Sequence, residues 1–237
     1  MTATHWKRSP VKRRVMGVLA LSLALAGCGG GAASGASHSP KAVPDSALDG
    51  LLLSAADVNA VMGTTAMAPH PVVTQMGDHR NMLPNLNCLG VWQVNEAPIY
   101  DLTHWKSVRQ QMFRQPDTDQ WDALVVQSVV SYRTADGARD FFTQSADRWA
   151  KCANHHVNIR LNDQPLPAWL SGDLTRTDSE LSMPYTRGSG DQTRSCQRFL
   201  AVAANLILDI QACKPQQPTT LTEAAQIADK IESKLPR

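Results

Sequence analysis

Beyond Cys28 the sequence has no run of lysine or arginine and nowhere interleaves basic and aromatic residues as single-strand binders require. It carries no signature of a nucleic-acid partner. No Gly-x-Gly-x-x-Gly or P-loop pattern occurs, which leaves nucleotide binding without support. The Gly-x-Ser-x-Gly elbow of many hydrolases is missing; Ser189 lies between glycines, but in a loop with no strand before it. The cysteine spacings make no zinc signature, for there is no Cys-x-x-Cys pair and no matching histidine pair. His155 and His156 form the only histidine cluster, and neighbours in a strand point to opposite faces, so both are expected at the surface. Asp117, Asp119 and Asp122 read as a solvated approach to a strand rather than as an acid and a base. With no catalytic constellation, no metal site and no cofactor motif in view, the chain is expected to be non-enzymatic. A hydrolase whose triad assembles from scattered residues is the enzymatic alternative.

What is present starts at the N-terminus. The first 27 residues hold His5, Lys7, Arg8, Lys12, Arg13 and Arg14, no acidic residue, and an apolar run over 15–26. That run is well short of the roughly 20 residues needed to span a bilayer core, so 1–27 reads as a cleaved signal peptide. Leu25-Ala26-Gly27-Cys28 resembles a bacterial lipobox. It implies a diacylglycerol on Cys28, cleavage before it, further acylation (palmitate) of the new N-terminus, and a lipid anchor on the extracytoplasmic face of the cell membrane. The alternative is an ordinary secretory signal with an incidental cysteine. Residues 28–44 are small, polar and punctuated by proline, and read as a flexible tether with a reach of about 20 Å. Residues 45–237 suit one globular domain with a real core. Five of the 23 Lys and Arg residues precede Cys28, which leaves 18 basic against 21 acidic residues, or −3, so no polyanion partner is implied.

Local patterns then suggest elements. Ser54, with Asp57 three residues on, predicts a short helix ending at Gly63. Residues 64–87 read as loop with one short strand at most, and 123–132 alternate as a β-strand, with Leu124, Val126, Val130 and Tyr132 on one face and Val125, Gln127, Val129 and Ser131 on the other. Thr134 caps a helix whose buried stripe runs Ala138, Phe141, Phe142, Ser145, Trp149 and Cys152. One or two strands are expected over 155–176 and a flexible loop over 187–191. Thr220-Leu221-Thr222-Glu223 resembles a capping box opening a C-terminal helix, with Leu221, Ala224, Ala228, Ile231 and Leu235 as its apolar stripe. Trp105, Trp121 and Trp169 suit either core packing, the preferred reading, or a ligand cleft, and Trp149 belongs to the core.

Residues 197–213 predict a hairpin. A two-residue turn at Ala204-Asn205, with Asn205 tolerating positive φ, opposes Ala203 to Leu206 and therefore Cys196 to Cys213, as a non-hydrogen-bonded pair about 4.5 Å apart. That separation suits a disulfide. Four cysteines follow Cys28, namely Cys88, Cys152, Cys196 and Cys213; in an exported protein the even number suggests two disulfides, with four buried thiols as the alternative. One hairpin face carries Phe199, Ala201, Ala203, Leu206, Leu208 and Ile210 and is core; the other is mixed. Gln127, Arg198, Asp209 and Gln211 are the candidate ligand-binding residues, polar groups in an apolar surround. Against this, Arg198 and Asp209 are diagonal cross-strand neighbours suited to pair with each other, which is the preferred reading of those two.

Trp105-Lys106-Ser107-Val108-Arg109-Gln110, Val126-Gln127-Ser128-Val129-Val130-Ser131, Phe141-Phe142, Trp149-Ala150-Lys151-Cys152, Cys196-Gln197-Arg198 and Leu208-Asp209-Ile210-Gln211-Ala212-Cys213 together resemble the PknH-like extracellular domain. This is the sensor domain of a mycobacterial Ser/Thr kinase, also found alone in lipoproteins. The resemblance covers about 47–235. It implies an α+β fold with an antiparallel sheet, helices packed against it, a cleft proposed to bind an unidentified ligand, and two disulfides joining Cys88 to Cys152 and Cys196 to Cys213. The sequence shows no kinase domain or membrane helix beside it, so sensing is expected to need an envelope protein partner. The expected function is a lipid-anchored, sensor-like binding module for a small molecule or envelope component, with a structural or protein-interaction lipoprotein as the alternative.

Overall fold

The computed structural model describes residues 41–83, 85–161 and 164–236. The signal peptide, Cys28 and most of the tether expected at 28–44 lie outside the described residues. Two short helices come first, α1 (Leu48–Leu51) and α2 (Ala55–Met62). Ser54 and Asp57 form the reciprocal capping box, and Gly63 ends α2 in the left-handed region at φ 67°. Strand β1 (Ala68–Pro69) and helices α3 (Leu89–Trp92) and α4 (Ala97–Tyr100) lead into β2 (Trp105–Gln115) and β3 (Ala123–Tyr132). The Thr134 hydroxyl accepts the Gly137 N–H and so caps α5 (Ala135–Ala150).

Short strands follow: β4 (His156–Val157), β5 (Arg160–Leu161), β6 (Gln164–Pro165), β7 (Trp169–Ser171) and β8 (Thr175–Arg176). Then come β9 (Glu180–Arg187), the hairpin of β10 (Arg194–Ala203) and β11 (Leu206–Pro215), and α6 (Glu223–Glu232). The main sheet runs β1-β2-β3-β11-β10-β9-β7-β4, with β8 also paired to β9, and its pairings are antiparallel. The fold class is α+β, as the sequence led us to expect.

Both faces of this sheet are covered. On one, Phe141, Phe142 and Trp149 of α5 and Leu89 and Trp92 of α3 pack on Val130, Leu200 and Ile207. On the other, Leu48, Val58, Ile227 and Ile231 from α1, α2 and α6 pack on Val125, Val129, Phe199 and Ile210. The alternation of the central strands, apolar on both sides, fits burial on both faces.

The hairpin has the expected register, with Ala203 opposite Leu206 and Cys196 opposite Cys213. Cys196 and Cys213 are joined with Cα atoms 4.0 Å apart, and Cys88 is joined to Cys152 at 5.4 Å, tying α3 to the end of α5. By loop-closure entropy the two bridges contribute about 3 and about 4 kcal/mol. The turn itself differs from expectation: the left-handed residue is Ala204, at φ 52°. Asn205 is occupied otherwise. Its side chain accepts the Val43 N–H and donates to the carbonyls of Val43 and Tyr132.

Other expectations need correction. Val43 is buried and held by Asn205, so the fold begins before the boundary drawn at residue 44. Helix α6 begins at Glu223 with Thr222 as N-cap, and no side chain of 220–223 supplies a capping box. Gln197 of β10 does that work from the sheet, its Oε1 accepting the N–H groups of Ala224 and Ala225 at 3.0 and 3.3 Å. Strands β2 and β9 were not foreseen, and 155–176 holds five short strands instead of one or two. In β9, Pro184 has its carbonyl bonded to the Gly172 N–H; a Cβ on Gly172 would crowd Pro184 Cγ at 3.0 Å, so glycine suits this close approach.

Candidate functional site

The sheet register decides which candidate residues share a face. Arg198 lies opposite Gln211 on β11 and Met183 on β9, and Gln211 lies opposite Val126 on β3. Arg198, Asp209 and Gln211 therefore sit on the face under α5. Gln127 does not. It falls on the opposite face, where its side chain accepts the Leu53 N–H at 2.8 Å and donates to the Leu53 carbonyl at 2.9 Å. The four-residue grouping drawn from the sequence is therefore split: Gln127 holds the chain between α1 and α2 against the sheet. The side-chain period of two within each strand was right, but the register between β3 and β11 is a tertiary fact.

Arg198 and Asp209 form a closed structural network. Arg198 is fully buried; its Nη2 donates to Asp209 Oδ1 at 2.6 Å and to the Gly90 carbonyl at 2.8 Å, Nε to Val91 O, and Nη1 to Ile210 O. The guanidinium lies 5.3 Å from the Trp149 ring centroid. Asp209 Oδ2 accepts from the Asn95 N–H and from the Tyr100 hydroxyl at 3.1 and 3.0 Å. Burial holds the Tyr100 phenol well above its ordinary pKa. A buried ion pair with its remaining lone pairs and protons bonded to backbone can persist without water. These two side chains lash α3 and α4 to the sheet, so they are structural partners of each other, not ligand contacts.

Gln211 behaves differently. It is 4% exposed and its Oε1 has no hydrogen-bond partner. It lines a partly open cavity of about 170 Å³ together with Trp169, 1% exposed, whose Nε1 also lacks a partner. The floor is the sheet: Met112 and Arg114 of β2, Leu124 and Val126 of β3, and Tyr185 and Arg187 of β9. The roof is Trp92 at the end of α3, with Gln93, and Trp121 from the loop between β2 and β3. Burial pushes the Tyr185 phenol up to about 12, against the opposing charges of Arg198 and Arg187 and the Trp169 and Gln211 side chains that lie beside its hydroxyl. Arg187 stacks over Trp121, its guanidinium carbon 5.1 Å from the ring centroid, and among the described residues it has neither carboxylate nor side-chain hydrogen-bond partner. Arg114, by contrast, is engaged by Asp119 and Asp117 at 3.0 and 3.4 Å. Trp121 and Arg187 also line an outer depression of about 470 Å³ alongside Arg194, which is tied to Asp122 at 2.6 Å.

The same sheet, helices and disulfide pairs carry a family relationship. Residues 43–234 match the family described as PknH-like extracellular domain. The chain belongs to that family. Over 196 residues it is 32% identical to the serine/threonine-protein kinase PknH of Mycobacterium bovis (strain ATCC BAA-935 / AF2122/97), covering 83% of this chain and 32% of that one. The PknH of Mycobacterium tuberculosis (strain CDC 1551 / Oshkosh) is also 32% identical, with 83% and 30% covered. This chain thus spans about a third of the length of the curated relatives it matches. The crystal structure of the extracellular domain of PknH from Mycobacterium tuberculosis superposes with a TM-score of 0.73 at 31% identity, covering 82% of this chain and 97% of that one. The PknH-like chain is accordingly a sensor-like extracellular domain, and that relationship argues for an extracytoplasmic location. Among its described residues no helix is long and apolar enough to cross a membrane.

The rest of the PknH-like domain offers less. A larger depression, about 900 Å³, is an open groove beside the start of α5, lined by Leu102, Trp105 and Tyr132. Its buried hydroxyl is satisfied, Tyr132 Oη lying 3.0 Å from Thr103 Oγ1. Among the described residues no group of histidine, cysteine or acidic side chains could hold a metal ion, and no serine hydroxyl is hydrogen-bonded to a histidine ring; Ser171 meets only the backbone of His155. Sequence reasoning reached Gln211, Trp121 and Trp169, but missed Trp92, Tyr185 and Arg187. They come from segments with no common spacing, and the strand that carries two of them was itself not foreseen.

Proposed function

We propose that this PknH-like domain is a non-enzymatic binding module held at the outer face of the cell membrane by lipid on Cys28, and that it captures a small molecule in the aromatic cavity. The observation that carries the reading is the pair of buried polar atoms, Gln211 Oε1 and Trp169 Nε1, left without partners on the wall of one cavity. Buried polar groups are almost always hydrogen-bonded, and leaving one unsatisfied costs about 1–3 kcal/mol. Aromatic walls with a few convergent polar groups are the usual form of a small-molecule site, and about 170 Å³, the room of about five or six waters, is at the small end for one. Mass spectrometry of the full chain purified from its native envelope should find a compound that is absent from the Gln211→Leu variant; an empty wild-type chain would refute capture. Separately, Cys28→Ala should move the protein from the membrane fraction to the soluble exported fraction. Unchanged retention would refute the lipid anchor.

A further inference from the structure

Two arginines and no carboxylate line the cavity. One of them, Arg114, is neutralised by Asp117 and Asp119. Arg187 is not. A guanidinium stacked on an indole keeps its N–H edge free in its own plane, and that edge fits a carboxylate through two parallel hydrogen bonds. The indoles of Trp92 and Trp169 line the same cavity beside the Trp121 ring that Arg187 covers, and favour a flat, apolar body. The unpartnered atoms add a third requirement. Trp169 Nε1–H is a donor and Gln211 Oε1 an acceptor. A hydroxyl accepts from the first and donates to the second at once.

From these three features we infer that the cavity takes a small hydroxylated aromatic acid, its carboxylate on Arg187, its ring among the tryptophans and its hydroxyl on Trp169 and Gln211. The inference rests on the reading of this cavity as a ligand site. About 170 Å³ corresponds to the volume of five or six waters at about 30 Å³ each, enough for a single substituted ring and too little for a fused polycyclic or a nucleotide. Charge is read at the rim, where Arg187 also borders the outer depression, and the hydroxyl is read in the buried part. A site built to hydrogen-bond a hydroxyl discriminates strongly against the analogue that lacks it, because its own polar groups then stay unpaired.

The probes are 4-hydroxybenzoate, benzoate and 4-hydroxybenzamide, titrated into the full chain in detergent with indole fluorescence and calorimetry as readouts. The acid with the hydroxyl should bind, and the analogues lacking either the charge or the hydroxyl should bind at least about tenfold more weakly. Arg187→Gln, at a half-buried position without hydrogen-bond partners, should keep the fold and reduce the acid to the affinity of the amide. Equal binding of acid and amide, or an unchanged preference in Arg187→Gln, would overturn the assignment. If no probe binds while a compound still co-purifies from the envelope, the ligand class is wrong and capture stands. If no probe binds and nothing co-purifies, both readings fall.

Discussion

The two faces of the sheet treat polar side chains in opposite ways. Under α1, α2 and α6, buried polar residues each hold a specific piece of backbone: Gln127 holds Leu53, Asn205 holds Val43, and Gln197 caps α6. Under α5, one pair of charges, Arg198 and Asp209, is fully engaged, while Gln211 Oε1 and Trp169 Nε1 a short way along the same face are not, although Gln211 Nε2 donates to Cys213 Sγ. A face that closes all its hydrogen bonds is scaffold. The face that leaves some open is where an outside molecule can still make a difference to the free energy.

This contrast makes ordered predictions. The largest effect belongs to Arg198→Met, which leaves Asp209 charged, buried and unpaired; chemical denaturation should show a loss of about 3–5 kcal/mol. Next comes the matched comparison across the sheet. Gln127→Leu strips both Leu53 backbone groups of their partners and should cost about 1–3 kcal/mol. Gln211→Leu removes an acceptor that has no partner and should leave the melting temperature unchanged or raised, although any captured compound is lost. Similar destabilisation by the two leucine variants would erase the distinction between the faces.

The smallest effect is one of pH. His79 Nδ1 lies 2.7 Å from the carboxylate of buried Glu96, which also accepts the His79 N–H, and the imidazole meets Trp92 edge-on at 5.9 Å. The hydrogen bond to Glu96 raises the imidazole pKa above its ordinary 6.5, against the pull of burial, with the charges of Glu96 and Asp78 adding to the rise. The stabilisation is therefore fully present below about pH 6.5 and fades as pH rises through the higher folded value. Melting temperature should fall over that interval in the wild type and stay flat in His79→Gln. A flat wild-type profile would show that the pair contributes nothing.

How much of this was legible depended on distance along the chain. The Ser54 capping box, the Thr134 cap and the Cys196–Cys213 pairing are local matters, settled by residues a few positions apart or by one turn. The strands β2 and β9 were not, because β2 carries Lys106, Arg109 and Arg114 on a partly exposed edge and β9 contains Pro184, both of which argue against strand on composition. Gln127 was assigned the right parity within β3 but the wrong company, since only the pairing of β3 with β11 tells which parity faces Arg198. The cavity walls come from α3, the β2–β3 loop and five strands. No window of sequence contains them.

The grip of Asn205 on Val43 gives the sheet a direction. Val43 is bound at the hairpin turn, whereas Gln211 and Arg187 lie toward the other end of the strands, five residues beyond Leu206 and level with Arg194 respectively. At about 3.4 Å per residue the intervening distance is about 17–30 Å. Force or drag transmitted through the N-terminal segment therefore enters at the turn and bears first on the Val43 and Tyr132 bonds. The proposed cavity lies far from that load, so pulling on the N-terminal segment should peel residues 43–53 from the helical side before it disturbs the cavity.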